Sequence, residues 1–279
     1  MSGHTFRDEQ LLDATYEHVD LTGARFDRVD LTRSSFTMVD FADVDIRDTA
    51  LSRVRMRGVE LMDVDISGEL QRVTVNGVDI GPLVEAELDR RHPERATLRP
   101  TDPAGYREAW AVLTGLWDGT VERARALEAR DPALLHEGVD GEWSFTQTLR
   151  HLAFATSSWL GRAIQGNPSP WDPLELPWDT MPDTPGVPRD RSARPSLDEA
   201  LELRRRRQAD VAAYLETLTQ AELDSQTTPV EAPGWPRPQA YPVKECLDIL
   251  LGEEWWHRQY AERDLAALQS RPRDDESAS

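Results

Sequence analysis

The sequence predicts two domains of different class. A stacked repeat spans residues 11–80, an all-α four-helix bundle with one long crossover loop spans 101–268, and a short helix and linker at 81–100 join them. Three observations carry this reading. A bulky apolar residue recurs every five positions from Tyr16 to Ile66; that period stops where prolines and tryptophans begin near Asp102; and four later stretches place apolar residues at helical spacing. With 279 residues the chain has room for two modest domains, at about 100 to 200 residues each. A formal net charge of −19 argues against a nucleic-acid binder, because phosphate contacts need clustered Lys and Arg. The single cysteine, Cys246, excludes an intrachain disulfide and a cysteine-rich zinc site, and fits a reducing cytoplasm. The opening residues Met1 to Glu9 lack a signal-peptide pattern, and no run approaches the roughly eighteen apolar residues of a membrane span. Neither export nor membrane insertion is expected.

In the repeat, Tyr16, Leu21, Phe26, Leu31, Phe36, Phe41, Ile46, Leu51, Met56, Leu61 and Ile66 keep the five-residue phase, and two positions before each stands a smaller residue such as Ala14, Val19 or Val64. Neither helix nor plain strand has this period, whereas stacked repeats do. The pattern resembles the pentapeptide-repeat family, which implies a right-handed quadrilateral β-helix with the smaller and larger residues both pointing inward. Val73, Val75, Val78 and Ile80 then suggest a closing strand or cap. Some acidic members of that family imitate duplex DNA and bind topoisomerases. Eleven walls would stand only roughly 14 Å tall at about 4.8 Å per stacked strand, and arginines such as Arg25, Arg53 and Arg57 dilute the negative field. A docking or dimerisation platform is the expected role.

The segment Gly81 to Pro93 reads as a short helix ended before that proline. In the bundle, the first helix runs from about Pro103 to Arg130, with Trp110, Leu113, Trp117, Val121 and Ala124 on one stripe. The second starts at Ser144, whose capping-box partner is Gln147, and reaches about Gln165. His151 lies beside its apolar stripe among Thr148, Ala155 and Ser158, as a hydrogen-bonded interior histidine or a ligand. A third helix is announced by Ser196 and Glu199; its run Arg204 to Arg207 is read as a solvated face, with anion binding as the alternative. Between these two helices, residues 166–195 hold eight prolines together with Trp171 and Trp178, as an ordered loop that covers one end of the bundle. A second rigid loop, 227–242, carries Trp235 and Tyr241.

The last helix, Val243 to Leu268, places Cys246, Ile249, Leu250, Glu253, His257 and Tyr260 on one face, with Glu254 and Arg258 on an expected wet side. A carboxylate on a core seam needs a strong partner. A metal ion shared with His257 would supply one, and exposure is the alternative.

Glu142-Trp143-Ser144-Phe145 leading to His151, followed by Glu253 and His257 four residues apart, resembles the DinB-like four-helix family over roughly residues 101–268. The His, Glu, His set is similar to that of the mycothiol-dependent maleylpyruvate isomerase branch, which implies a divalent metal on His151, Glu253 and His257. Zinc is the expected ion, and nickel, iron or manganese suit the same ligands. The resemblance also implies a low-molecular-weight thiol, mycothiol-like, activated for transfer to a small-molecule electrophile. The arginine-bearing C-terminal domain of those isomerases is not expected here, since residues 269–279 read as an acidic disordered tail, so only a transferase-like class is inferred. Cys246 is read as core packing, and Arg150, Arg258 and Arg263 as surface ion-pair partners or anion-binding groups. The alternative is a metal-binding, non-catalytic module whose repeat recruits a partner protein. A homodimer is compatible with either reading.

Overall fold

The computed structural model describes residues 4–47, 49–68 and 70–271. The chain divides into two compact units, 1–67 and 68–279. Of the expected acidic tail, residues 272–279 lie outside the described ones.

In the first unit the five-residue period is realised as turns. The backbone adopts positive φ at Asp8, Asp13, His18, Gly23, Arg28, Arg33, Met38, Asp43, Arg53, Gly58 and Asp63, always the same phase of the repeat. Aspartates one residue before the bulky apolar position stabilise these corners locally: Asp20 accepts the Thr22 amide at 2.9 Å and Asp30 that of Thr32 at 2.8 Å. Among the described residues of this unit there is no strand, and Phe26, Phe36, Leu51 and Ile66 are all more than half exposed. The turns need only neighbours in sequence, whereas burying the apolar positions requires one coil to stack on the next, and few coils are available.

The second unit opens with a short hairpin, β1 (Thr74–Val75) and β2 (Val78–Asp79), paired antiparallel around Asn76 and Gly77, both at positive φ. It is followed by α1 (Gly81–Arg91). Four long helices then make the bundle: α2 (Pro103–Arg130), α3 (Phe145–Thr156) running on into a wider π-helical stretch at Ser157–Ile164, α4 (Leu197–Thr217) and α6 (Val243–Gln269), with the single-turn α5 (Gln220–Leu223) before the last. Both capping boxes are made, Ser144 with Gln147 and Ser196 with Glu199. Among the described residues no helix is long and apolar enough to cross a membrane.

Helix α6 runs parallel to α2. Tyr106 bonds Asp248, Arg258 bonds Thr120 and the Leu116 carbonyl, and Arg123 pairs with Glu262, so both sequences advance together. The apolar core has two halves. Leu149 and Leu152 of α3 pack with Trp117, Leu197, Leu201 and Leu265; Leu113 of α2 packs with Val211, Leu215, Leu247 and Leu250. The first turns of α3 and α4 therefore meet in the same half. Two neighbouring helices that point the same way require a connection as long as the bundle, which is what the 166–195 loop provides.

The buried series of α6 runs Leu247, Leu250, Glu254, Ala261, Leu265, Leu268. Glu254 is thus core, contrary to the wet side expected for it, and Glu253 lies at the flank. Glu254 is bound bidentately by Arg204, with one contact of 2.9 Å, and both side chains are only 3% exposed. The Arg204 guanidinium also covers the Trp117 ring at 4.4 Å. The solvated reading of Arg204 to Arg207 is correct only for Arg205 and Arg206; Arg207 reaches Glu175, which is fully buried, at 2.8 Å. Removing one member of a buried ion pair strands the other. Glu254→Ala is expected to lose about 3–5 kcal/mol of unfolding free energy in urea titrations followed by tryptophan fluorescence, and the Arg204→Met, Glu254→Leu double variant much less. A loss below about 1 kcal/mol for the single variant would mean that water reaches the pair.

Candidate metal centre

Helix α3 presents His151 two turns after its Ser144 cap, and α6 presents Glu253 and His257 on adjacent turns. The packing of α3 on α6 brings one ligand atom from each of the three within 4.8 Å of one another. Oε2 of Glu253 is the centre of the group, 3.4 Å from His151 Nε2 and 3.2 Å from His257 Nδ1. That oxygen is buried and has no hydrogen-bond partner among the described residues.

Backbone carbonyls orient both rings. His151 Nδ1 lies 3.1 Å from the Leu176 carbonyl, and His257 Nδ1 lies 3.0 Å from the carbonyl of Glu253, one turn back on its own helix. A proton on His151 Nδ1 makes that contact a hydrogen bond and leaves Nε2, the nitrogen facing Glu253, with its lone pair, whereas in His257 Nδ1 faces both the Glu253 carbonyl and its carboxylate. Burial, with His151 adding to it, pushes the His257 imidazole down to about 4. Burial pushes the Glu253 carboxyl up, but the two imidazoles outweigh it and hold it below its ordinary range. The His257 imidazole is therefore neutral beside an ionised Glu253 carboxylate, the protonation states in which these two groups ligate a cation.

Aromatic rings enclose the site. Trp143 lies 4.5 Å from the His151 ring and stacks on His257 at 5.9 Å, with its indole N–H donated to Asp179 of the crossover loop at 3.0 Å. Tyr260 meets His257 edge-on at 6.0 Å. Phe154, one turn after His151, packs with Trp171, Trp178 and Trp235 from the two loops. Behind Trp143 a cavity of about 10 Å³, lined by Phe145, Thr148, Ala261 and Asp264, has room for a single water.

A family model described as the DinB superfamily matches residues 80–261. The chain belongs to the DinB superfamily. Members of that superfamily generally bind metal, and this DinB domain carries a His/Glu/His cluster able to do so. A second model, for pentapeptide repeats, matches residues 13–48 in eight copies, so the fused architecture is shown. No curated protein matches the chain.

The expected roles of the arginines change. Arg150 is wholly buried and donates to the carbonyls of Leu174, Asp190 and Ala193, so it is neither a surface ion pair nor an anion site. Arg258 is mostly buried against α2, and only Arg263, paired with Asp264 at 2.7 Å, is half exposed as expected. Cys246 is buried, and burial pushes its thiol up to about 12, as core packing requires. Sequence reasoning missed Glu175, a fully buried carboxylate that takes Ser157 Oγ at 2.7 Å and Arg207 Nε at 2.8 Å and is pushed up to about 7 by burial. It also missed the Leu176 carbonyl, since backbone acceptors leave no mark in residue identity.

The low value of His257 has a sign that can be measured. Unfolded, its imidazole takes a proton below 6.5, while folded it resists until about 4. The unfolded state therefore binds more protons in that window, and stability of the metal-free protein falls as pH drops from 6.5 toward 4. Urea midpoints across this range are expected to show the slope, and His257→Gln to flatten it; equal slopes for both would remove His257 as the cause.

Proposed function

We propose that the DinB domain holds one divalent metal ion on His151, Glu253 and His257, and serves a metal-dependent transfer of a low-molecular-weight thiol to an electrophilic small molecule. The observation that carries the reading is the Glu253 Oε2 atom, buried without a hydrogen bond and within 3.4 Å of two imidazole nitrogens. A buried polar atom without a partner calls for an explanation; Glu175 Oε2 is in the same state, and what distinguishes Glu253 is the pair of imidazoles beside it. Two imidazoles and one carboxylate suit zinc and leave a coordination position for a further ligand; nickel, iron or manganese accept the same set.

When bound, such an ion lowers the pKa of a coordinated thiol so that the nucleophilic thiolate exists at neutral pH. The chain's own residues supply the rest. Nδ1 contacts to the Leu176 and Glu253 carbonyls hold the imidazoles in orientation, and Trp143 shields their faces from water. The side chains of Trp171, Trp178 and Trp235 offer an apolar wall to an electrophile. The thiol must come from outside the chain, because the only cysteine is buried with its thiol held protonated.

A second reading is a non-catalytic metal-binding module whose repeat unit serves as a docking or dimerisation platform. The exposed apolar side chains of the repeat favour it. Elemental analysis of the purified protein is expected to find about one zinc or other divalent metal per chain, lost in both His151→Ala and Glu253→Ala. A metal-free wild type after zinc incubation would sink both readings. Calorimetric titration of the loaded protein with small thiols separates them, since heat of binding supports transfer and its absence supports the platform.

A further inference from the structure

Residues 174–176 of the crossover loop are gripped at three successive positions. Arg150 Nε donates to the Leu174 carbonyl at 2.6 Å. Glu175 points the other way, into Ser157 and Arg207. Leu176 is held at both ends of its peptide: its N–H donates to the Arg150 carbonyl at 3.2 Å, and its carbonyl faces His151 Nδ1 at 3.1 Å. The same Arg150 guanidinium reaches forward to Asp190 and Ala193, so one buried side chain ties both halves of the loop to α3.

We propose that this strap sets the metal affinity of the centre, with Arg150 as a positioning residue that acts through the Leu176 carbonyl on His151. The inference rests on the metal reading above. With the strap docked, the Leu176 carbonyl selects the Nδ1–H tautomer and presents Nε2 to Glu253. With it undocked, His151 gains a second tautomer and rotational freedom, and an ion must bear the cost of removing both. Outer partners of this kind change metal affinity by about 10- to 100-fold. Linkage makes the effect reciprocal, so a metal on His151 holds the strap down by the same factor. Trp171 and Trp178 flank the strap, so the apolar wall is ordered together with the ion.

Arg162 provides an internal control. It is equally buried and also bound by carbonyls, those of Pro168, Val230, Ala232 and Pro236, but no contact joins it to His151. Competition with a chromophoric chelator is expected to show zinc bound about 10- to 100-fold more weakly by Arg150→Gln, partial recovery in Arg150→Lys, and little change in Arg162→Gln. Spectra of 15N-histidine-labelled, metal-free protein are expected to place the His151 proton on Nδ1 in wild type and on both nitrogens in Arg150→Gln. Should Arg150→Gln fail to fold, wild type alone decides: zinc should slow hydrogen exchange at the amides of Glu175, Leu176 and Trp178 and leave those of Thr227, Thr228 and Val230 unchanged. Unaltered zinc affinity in Arg150→Gln, equal losses in both glutamine variants, or strap amides indifferent to zinc would overturn the proposal while leaving the metal centre standing. A wild type that takes up no zinc would instead remove the centre itself.

Discussion

A charged group inside a helical bundle costs several kcal/mol unless an opposite charge or a fan of carbonyl dipoles meets it, and this requirement determines how the DinB domain is assembled. Arg204 and Glu254 meet each other between α4 and α6. Glu175 is met from two helices, by Ser157 of the π-helical stretch and Arg207 of α4. Among the described residues Arg150 and Arg162 form no ion pair with a carboxylate and are satisfied by loop carbonyls instead. Except for the Arg162 contact to Pro168, these contacts join parts of the chain far apart in sequence. The long proline-rich loop is consequently not a loose connection but a covering layer, tied to the bundle at points chosen by buried charges. Glu175 Oε2 and Glu253 Oε2 are both left without a hydrogen bond, but only the Glu253 oxygen lies beside two ring nitrogens.

The elements that could be read from the sequence are those written in neighbouring residues. Serine caps with Gln147 and Glu199 marked two helix starts, the i, i+4 pair marked Glu253 and His257, and the five-residue phase marked the repeat, each a pattern spanning a turn or two. What could not be read depends on partners found only after folding. Arg204 and Glu254 are 50 positions apart, and both look like surface residues until they are seen together. The seam of α6 was misjudged for the same reason: a charged residue at a heptad position is counted as wet by any rule of composition, and Glu254 took the core place assigned to its neighbour. In the repeat the turn was local and legible, while the burial of its apolar residues is a coil-on-coil property that the period alone does not guarantee.

The three candidate ligands are not equivalent in how they are held. Glu253 and His257 come from one helix, and the His257 ring is oriented by a carbonyl four residues back, so forming α6 goes far toward preparing that pair. His151 belongs to another helix, and its ring is oriented by a carbonyl 25 residues away in the crossover loop. The centre thus combines a pair prepared by local structure with a third ligand that becomes correct only when the loop has docked. A site built wholly on one helix would bind an ion whether or not its surroundings were complete. Here the ligand that depends on long-range docking is also the one nearest the aromatic wall, through Phe154 and Trp143. Under the proposed reading, ion binding and completion of the aromatic wall would therefore depend on the same docking of the crossover loop.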